Sequence, residues 1–393
     1  MTPDTDLLIC GGGIAGLCAA ASFGASGFTI TLVDPAPPVV SRDAEGSDLR
    51  STAFLQPARD FLALTGTWEE MAPHATPLQT MRIIDATAQG ADRSFDAADI
   101  SDRPFGWNLP NWLIRKCLLE RLKSLPTVTL RTGVAARTLF TRTDTARVGL
   151  DDGTKITARL VLACDGRDSP MREAAGIAAR TTDFAQSALS FAVSHPLPHG
   201  NISTEIHRSG GPFTLVPLPD QDGIPSSAVV WMEDRAEARR LAALPVAEFE
   251  AEATERAQSV QGPLTLLTRR DLWPIISRTA ERFAGQRIAL VAEAAHVAPP
   301  IGAQGLNMSL ADIALLLELA QARPGALGDA EMLATYDRRR RLSTKARIAG
   351  VGLLNRISKA GDPLTTGLRA TGVKALHDAT PVRRALMRLG LGL

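Results

Sequence analysis

Apolar and polar positions divide the chain into short buried runs and longer amphipathic stretches. Asp6-Leu7-Leu8-Ile9-Cys10 and Thr29-Ile30-Thr31-Leu32-Val33 are apolar runs of strand length, with a small-residue stretch, Leu17 to Phe23, between them. The pattern predicts a βαβ unit with strands buried on both faces. Leu160-Val161-Leu162-Ala163-Cys164 and Ile288-Ala289-Leu290-Val291 predict two more such strands. Helical spacing marks residues 54–66, Trp112 to Leu122 with Asn111 as cap, Glu233 to Ser259, Ser309 to Leu319 and Glu331 to Ile348. Arg137–Thr143 and Ala146–Leu150 predict a hairpin. Between about residues 186 and 232 the texture changes: Ala188–Val193, Thr204–His207, Phe213–Pro217 and Ala228–Met232 are strand-like runs separated by Pro and Gly. They predict a mainly antiparallel sheet, joined by the run from Pro77 to Asp85.

The first turn carries the first chemistry. Gly11-Gly12-Gly13-Ile14-Ala15-Gly16 is G-x-G-x-x-G between a strand and a helix, and Asp34 closes the next strand 18 positions after Gly16. Gly11 permits the tight turn, Gly13 lets backbone approach a pyrophosphate, and Gly16 lets the helix pack close to the strand. The helix start, at Ile14 and Ala15, offers free N–H groups to phosphate. Asp34 is placed to accept from a ribose diol. This unit predicts a dinucleotide and leaves NAD and FAD open.

Composition narrows the rest. The 393 residues are 45% hydrophobic and 22% charged, enough for two or three domains. With 43 Lys plus Arg against 42 Asp plus Glu, the net charge of +1 argues against a nucleic-acid partner. Cys10, Cys18, Cys117 and Cys164 are scattered, so neither a metal site nor a disulfide framework is expected. They read as small buried hydrophobes in a cytoplasmic protein. No signal peptide opens the chain and no run approaches bilayer length, so any membrane contact would be peripheral.

Two further anchors follow strands. One is Asp165-Gly166-Arg167-Asp168-Ser169-Pro170-Met171-Arg172. The other is Glu293-Ala294-Ala295-His296 with Pro300, Gly302-Ala303-Gln304-Gly305-Leu306-Asn307 and Asp312. With the glycine turn, they resemble the FAD-dependent aromatic hydroxylases of the p-hydroxybenzoate-hydroxylase-like group. Asp48-Leu49-Arg50-Ser51-Thr52-Ala53, Trp107 to Leu113 and Gly211 to Leu218 resemble the ubiquinone-biosynthesis subgroup (the UbiH/UbiF/UbiL type). The resemblance runs from residue 6 to about 340. Four positions depart from it: Glu293 stands for the usual Asp, Ala292 for Gly, and Gly302-Ala303 for Ala-Gly.

The resemblance implies an α/β fold with a Rossmann-like FAD-binding domain over residues 1–75, 100–178 and 281–345. A mainly antiparallel substrate domain would span 76–99 and 179–280, and a helical C-terminal region 346–393. Gly11, Gly13, Ile14, Ala15, Gly16 and Asp34 would hold the AMP half of FAD. Arg50 and Arg115 would lie by the middle of the cofactor, Asp165 by the pyrophosphate and Glu293 by the ribityl hydroxyls. Pro300, Gly302, Gln304, Gly305, Leu306 and Asn307 would line the flavin ring. Phe213, Leu215 and Val230, with Ala228 and Met232, would form an apolar substrate wall. The implied reaction is O2-dependent hydroxylation of a polyprenylated phenol or quinone precursor through a C4a-hydroperoxyflavin, with NAD(P)H or another donor docking transiently. A small soluble phenol is the alternative substrate, and a non-catalytic member of a quinone-biosynthesis complex a third reading.

No catalytic base is identified. His296 reads as a packed strand-end residue before it reads as a base, and Arg338–Arg341 as a solvated helix face. Residues 344–393 carry nine Lys or Arg against Asp362 and Asp378, with apolar residues interspersed. They read as helices packed on the core, or as a basic amphipathic surface facing anionic lipid on the inner face of the membrane or other ubiquinone-biosynthesis proteins.

Overall fold

The computed structural model describes residues 2–86, 91–208, 210–359 and 380–391. Its first sheet has eight strands. Five run parallel in the order Ile288–Leu290, Lys155–Ala163, Thr5–Cys10, Ile30–Asp34 and Val128–Thr132. Leu7, Leu8 and Ile9 in the central strand are fully buried, because helices cover both faces of the sheet. The chain runs from Thr5–Cys10 to Ile30–Asp34 on one side, while Lys155–Ala163 pairs on the other. The C-terminal edge of the central strand is therefore a topological switch point, where α/β sheets bind ligands. Parallel pairing also brings Gly11, Asp34, Asp165 and Ala292, in or just after four different strands, to this one edge. A hairpin, Ala136–Thr141 and Ala146–Leu150, extends the sheet.

The second sheet has nine strands and is antiparallel except for the pair Thr80–Asp85 and Ile202–His207. Its long strands are Ala179–Ser194, Pro212–Gln221, Ile224–Asp234 and Asp271–Ala280. The late motif joins the two sheets: Ile288–Leu290 lies in the first, and His296–Val297 pairs with Asp271–Ala280 in the second. A small third sheet joins Ser51–Leu55, Gly106–Pro110 and Thr76–Leu78. The run from Pro77 to Asp85 is thus two strands in two sheets. The stretch from Glu233 to Ser259 is likewise two helices, Arg235–Ala243 and Val246–Arg256, because Pro245 cannot continue the first and caps the second.

The strand alternation corrects the apolar wall. Phe213 and Leu215 point to the face covered by those two helices, packed with Trp231, Phe249 and Leu241 and fully buried. Phe213 meets Trp231 edge-on at 5.3 Å. Val230 and Met232 point to the other face, where they pack with Ala188, Ile275, Ile301 and Val351. Residues on facing strands share a side only in register, and Thr214, not Phe213, is opposite Val230. Phe213 and Leu215 are therefore core, and Val230 alone of the three faces the loop that carries Ile301.

Helix Ala330–Lys359 runs through residue 346, where a separate C-terminal region was expected to begin. Val351 is buried against the second sheet, and Asn355 Nδ2 donates to Gln186 Oε1 at 2.9 Å. Arg338–Arg341 is not uniformly solvated: Arg340 turns inward and pairs with buried Asp312 at 2.6 Å. Arg369, Lys374, Asp362 and Asp378 lie outside the described residues.

Candidate functional site

The glycine turn is held by backbone against backbone. Gly11 has φ +110°, and a Cβ there would lie 2.3 Å from the carbonyl oxygen of Cys164. A Cβ on Gly16 would lie 1.9 Å from the Gly11 oxygen. Gly13 differs: a Cβ there would meet nothing within 4 Å, so the cradle above it is open. Helix Ile14–Ala25 starts at Gly13 with no side-chain cap, which leaves its first N–H groups for an anion. Asp34 Oδ2 accepts the Gly12 N–H at 2.6 Å and Oδ1 the Ala36 N–H at 2.8 Å. The carboxylate braces the turn and keeps lone pairs for a ribose diol.

The middle and late motifs touch. Asp165 accepts from Ser169 Oγ and from the Met171 N–H. Burial pushes its carboxyl up from the usual range, against the pull of those hydrogen bonds. Arg172, 5% exposed, donates to the carbonyls of Arg167 and Ala294. Arg167 reaches half-exposed Glu293 at 3.4 Å. Arg172 thus fastens Asp165 and Glu293 to one frame. Its role is visible in sequence only as the last residue of the middle motif.

The late loop ends in helix Gln304–Ala322, which also starts without a side-chain cap. Ala292 (φ +59°) and Ala303 (φ +54°) are left-handed. They stand where the resembling family carries glycine, so each holds a conformation that costs an L-residue about 1 kcal/mol or more. Asn307 clamps the loop: Oδ1 accepts the Leu55 N–H at 2.9 Å, and Nδ2 donates to the Ala53 and Ala303 carbonyls. Its side chain is spent on backbone. Gln304 is buried, with its Nε2 on the Gly302 carbonyl and its Oε1 accepting from Arg347. Pro300, Gly302 and Gly305 are exposed and Leu306 half-buried, so these four present backbone and small surface at the helix start.

Arg50 and Arg115 meet around Asp48, the first residue of the motif that carries Arg50. Asp48 accepts two hydrogen bonds from Arg50 at 2.8 Å and one from Asn111 at 3.0 Å, and lies 3.5 Å from Arg115. Burial alone would raise the Asp48 carboxyl; Arg50, Asn111 and Arg115 outweigh it and hold it low. Asn111 is the first residue of helix Asn111–Lys123, not its cap, and its side chain serves this network. The Arg50 guanidinium stacks over Trp273 at 4.4 Å. Asp48, Arg50, Arg115 and Trp273, with Ser47, Arg269 and Asp271, line a cleft of ≈ 390 Å³. Trp273 had no signal in the sequence, because its strand is distant and its contact depends on the sheet.

His296 is structural. It is 3% exposed, and its Nε2 lies 2.7 Å from Asp312 Oδ2. Asp312 is fully buried and also binds Arg340 and the Ala292 N–H. Burial would push its carboxyl up, but His296 and Arg340 outweigh that and hold it below the usual range. This triad pins the late loop to two helices.

These residues fit FAD. They include two uncapped helix starts, an open glycine cradle, a diol acceptor and a cationic cleft. The family described as FAD binding domain matches residues 4–350. The chain is 30% identical to ubiquinone hydroxylase UbiL of Rhodospirillum rubrum, over 98% of this chain and 89% of that one. It is 26% identical to 3-demethoxyubiquinol 3-hydroxylase of Escherichia coli, over 99% of each. Among solved structures, p-nitrophenol 4-monooxygenase PnpA of Pseudomonas putida superposes with a TM-score of 0.81 at 20% identity, covering 100% of this chain and 99% of that one.

Two predictions follow from this geometry. Gly13→Ala leaves the melting temperature of the flavin-free protein unchanged and weakens FAD about tenfold or more, because its methyl occupies only the phosphate cradle; Gly16→Ala destabilises the flavin-free protein itself. Thermal melts and flavin titration separate the two. Asp312 has a folded pKa below its unfolded one, so its contribution is complete above about pH 4 and fades as pH falls through the folded value. Asp312→Asn costs about 3–5 kcal/mol near neutrality by urea unfolding, and the gap to the native chain narrows in acid.

Proposed function

The chain belongs to the FAD-binding family of monooxygenases, and from that premise we propose that it hydroxylates the aromatic ring of a polyprenylated phenol or quinone precursor in ubiquinone biosynthesis. The observation that carries this reading is the similarity to ubiquinone hydroxylase UbiL over 98% of the chain, together with the convergence of the three anchors on one edge.

Gly11, Gly13, Gly16 and Asp34 would hold the AMP half of the cofactor, Asp165 and Arg50 its centre, and Glu293 with the 300–307 loop its reactive end. Bound FAD, reduced by NAD(P)H or another donor, supplies the activation of O2 for transfer of one oxygen atom to an electron-rich ring. The chain's part is binding and exclusion of water. Uncapped N–H groups at the start of helix Gln304–Ala322 stabilise negative charge without giving up protons. Val230, Met232, Ala188, Ile275 and Ile301 form the dry face beside that loop. In a strain lacking this gene and any redundant hydroxylase, an under-hydroxylated polyprenyl phenol accumulates and ubiquinone falls; normal ubiquinone would defeat the reading and leave the small soluble phenol as substrate class.

A polyprenyl substrate resides in lipid, and the C-terminal helices support a peripheral contact with the inner face of the membrane. No helix among the described residues is long and apolar enough to cross a bilayer. Yet Leu342, Leu353, Leu354, Val382 and Leu389 are exposed, and Arg338, Lys345, Arg356, Arg384 and Arg388 are exposed beside them in sequence. No acidic residue lies between Arg338 and Lys359. Such a surface suits anionic lipid. Leu353→Glu with Leu389→Glu lowers co-sedimentation with anionic vesicles severalfold while flavin content stays constant; unchanged sedimentation would remove this surface from the account.

A further inference from the structure

Strand Ile202–His207 carries a buried acid–imidazole pair. His207 Nε2 lies 2.7 Å from Glu205 Oε1, with the two side chains 8% and 10% exposed. The carboxylate fixes the tautomer: Nε2 carries the hydrogen, which leaves the Nδ1 lone pair free. That Nδ1 is buried and has no hydrogen-bond partner. A buried acceptor without a partner is unfavourable, so it calls for a donor.

The strand register says which way the pair faces. Ile206, between them, belongs to the helix-covered core with Phe213. Alternation puts Glu205 and His207 on the opposite side. Glu205 is opposite Thr214, Thr214 opposite Val230, Val230 opposite Ser190, and Ser190 opposite Asp271 of the cationic cleft. This one row crosses the sheet on the face that meets Ile301 of the flavin loop. Two strand spacings, about 10 Å, separate Glu205 from Val230, so an aromatic ring lying over Thr214 and Val230 has one edge toward the pair. On this face Asp85 is opposite His207, Arg93 is opposite Ile83 on the next strand out, and Asp234 lies at the end of the Val230 strand. Arg256 and Glu233 belong to the far face, where Arg256 holds the carbonyls of Ile206 and Gly211.

We propose that His207, oriented by Glu205, is the base that accepts the proton of the substrate's ring hydroxyl. The inference rests on the phenol reading above. The substrate O–H bond breaks, an N–H bond forms at Nδ1, and the electron pair stays on the phenolate oxygen, which makes the ring more nucleophilic toward the incoming oxygen atom. Glu205 compensates the imidazolium charge. No electron leaves or enters the protein in this step.

The test uses flavin-loaded enzyme and a phenol with a single five-carbon prenyl chain. Ionisation of the bound phenol is read from its ultraviolet difference band across the neutral pH range, beside kcat. His207→Gln moves the ionisation to higher pH and lowers kcat about 10²-fold, with the Kd of the phenol within about threefold. Glu205→Gln shifts both in the same direction by less, and carries the test should the first variant lose its flavin. Native-like ionisation and kcat in the variants would overturn the pair's role alone. A native enzyme that neither binds nor hydroxylates the phenol would overturn the substrate class, and the pair's role with it.

Discussion

Everything at the strand-end edge depends on backbone packed against backbone without side chains between. The Gly11 turn lies under the Cys164 carbonyl, and the helix at Gly16 lies on the Gly11 carbonyl, at separations that would put a Cβ 2.3 Å and 1.9 Å away. This closeness brings the end of strand Lys155–Ala163 beside the first turn and so places Asp165 next to the uncapped helix. The late loop reaches the same edge through strand Ile288–Leu290, parallel to Lys155–Ala163. Arg172 and the His296–Asp312–Arg340 triad then hold that loop in place.

The late loop carries its own strain. Ala292 and Ala303 take left-handed backbone that glycine would adopt freely. Their cost is offset by Asn307, which holds Ala303 and strand Ser51–Leu55 together, and by Asp312, which accepts the Ala292 N–H. Small residues keep this loop open, and a buried polar frame keeps it in shape.

The parts of the site set by local chain geometry were legible in the sequence. A strand, a glycine turn and a helix in sequence order predict an uncapped helix start without any tertiary information, and the structure has that order at Thr5–Cys10, Gly11–Gly13 and Ile14–Ala25. What was not legible depends on which face of a sheet is covered. Phe213 and Leu215 look like a wall with Val230 because all three are apolar residues in neighbouring strands, but register and the two helices after Asp234 put them on opposite sides. Trp273 is over two hundred positions from Arg50 and meets it only after folding. His207 and Glu205 carry no motif; a buried unpaired nitrogen becomes visible only with neighbours in place. The length of helix Ala330–Lys359 was missed because its second half has few acids and mixed apolar positions, so its burial comes from the sheet that it crosses.

In the proposed function this chain transfers oxygen from O2 to the ring of a prenylated phenol. Flavin-loaded protein, NAD(P)H and a short-chain prenyl phenol under isotopically heavy O2 test it most directly by product mass. The expected product carries one heavy oxygen atom in a new ring hydroxyl. Reductant consumed with only hydrogen peroxide released, and an unlabelled, unchanged phenol recovered, would contradict it.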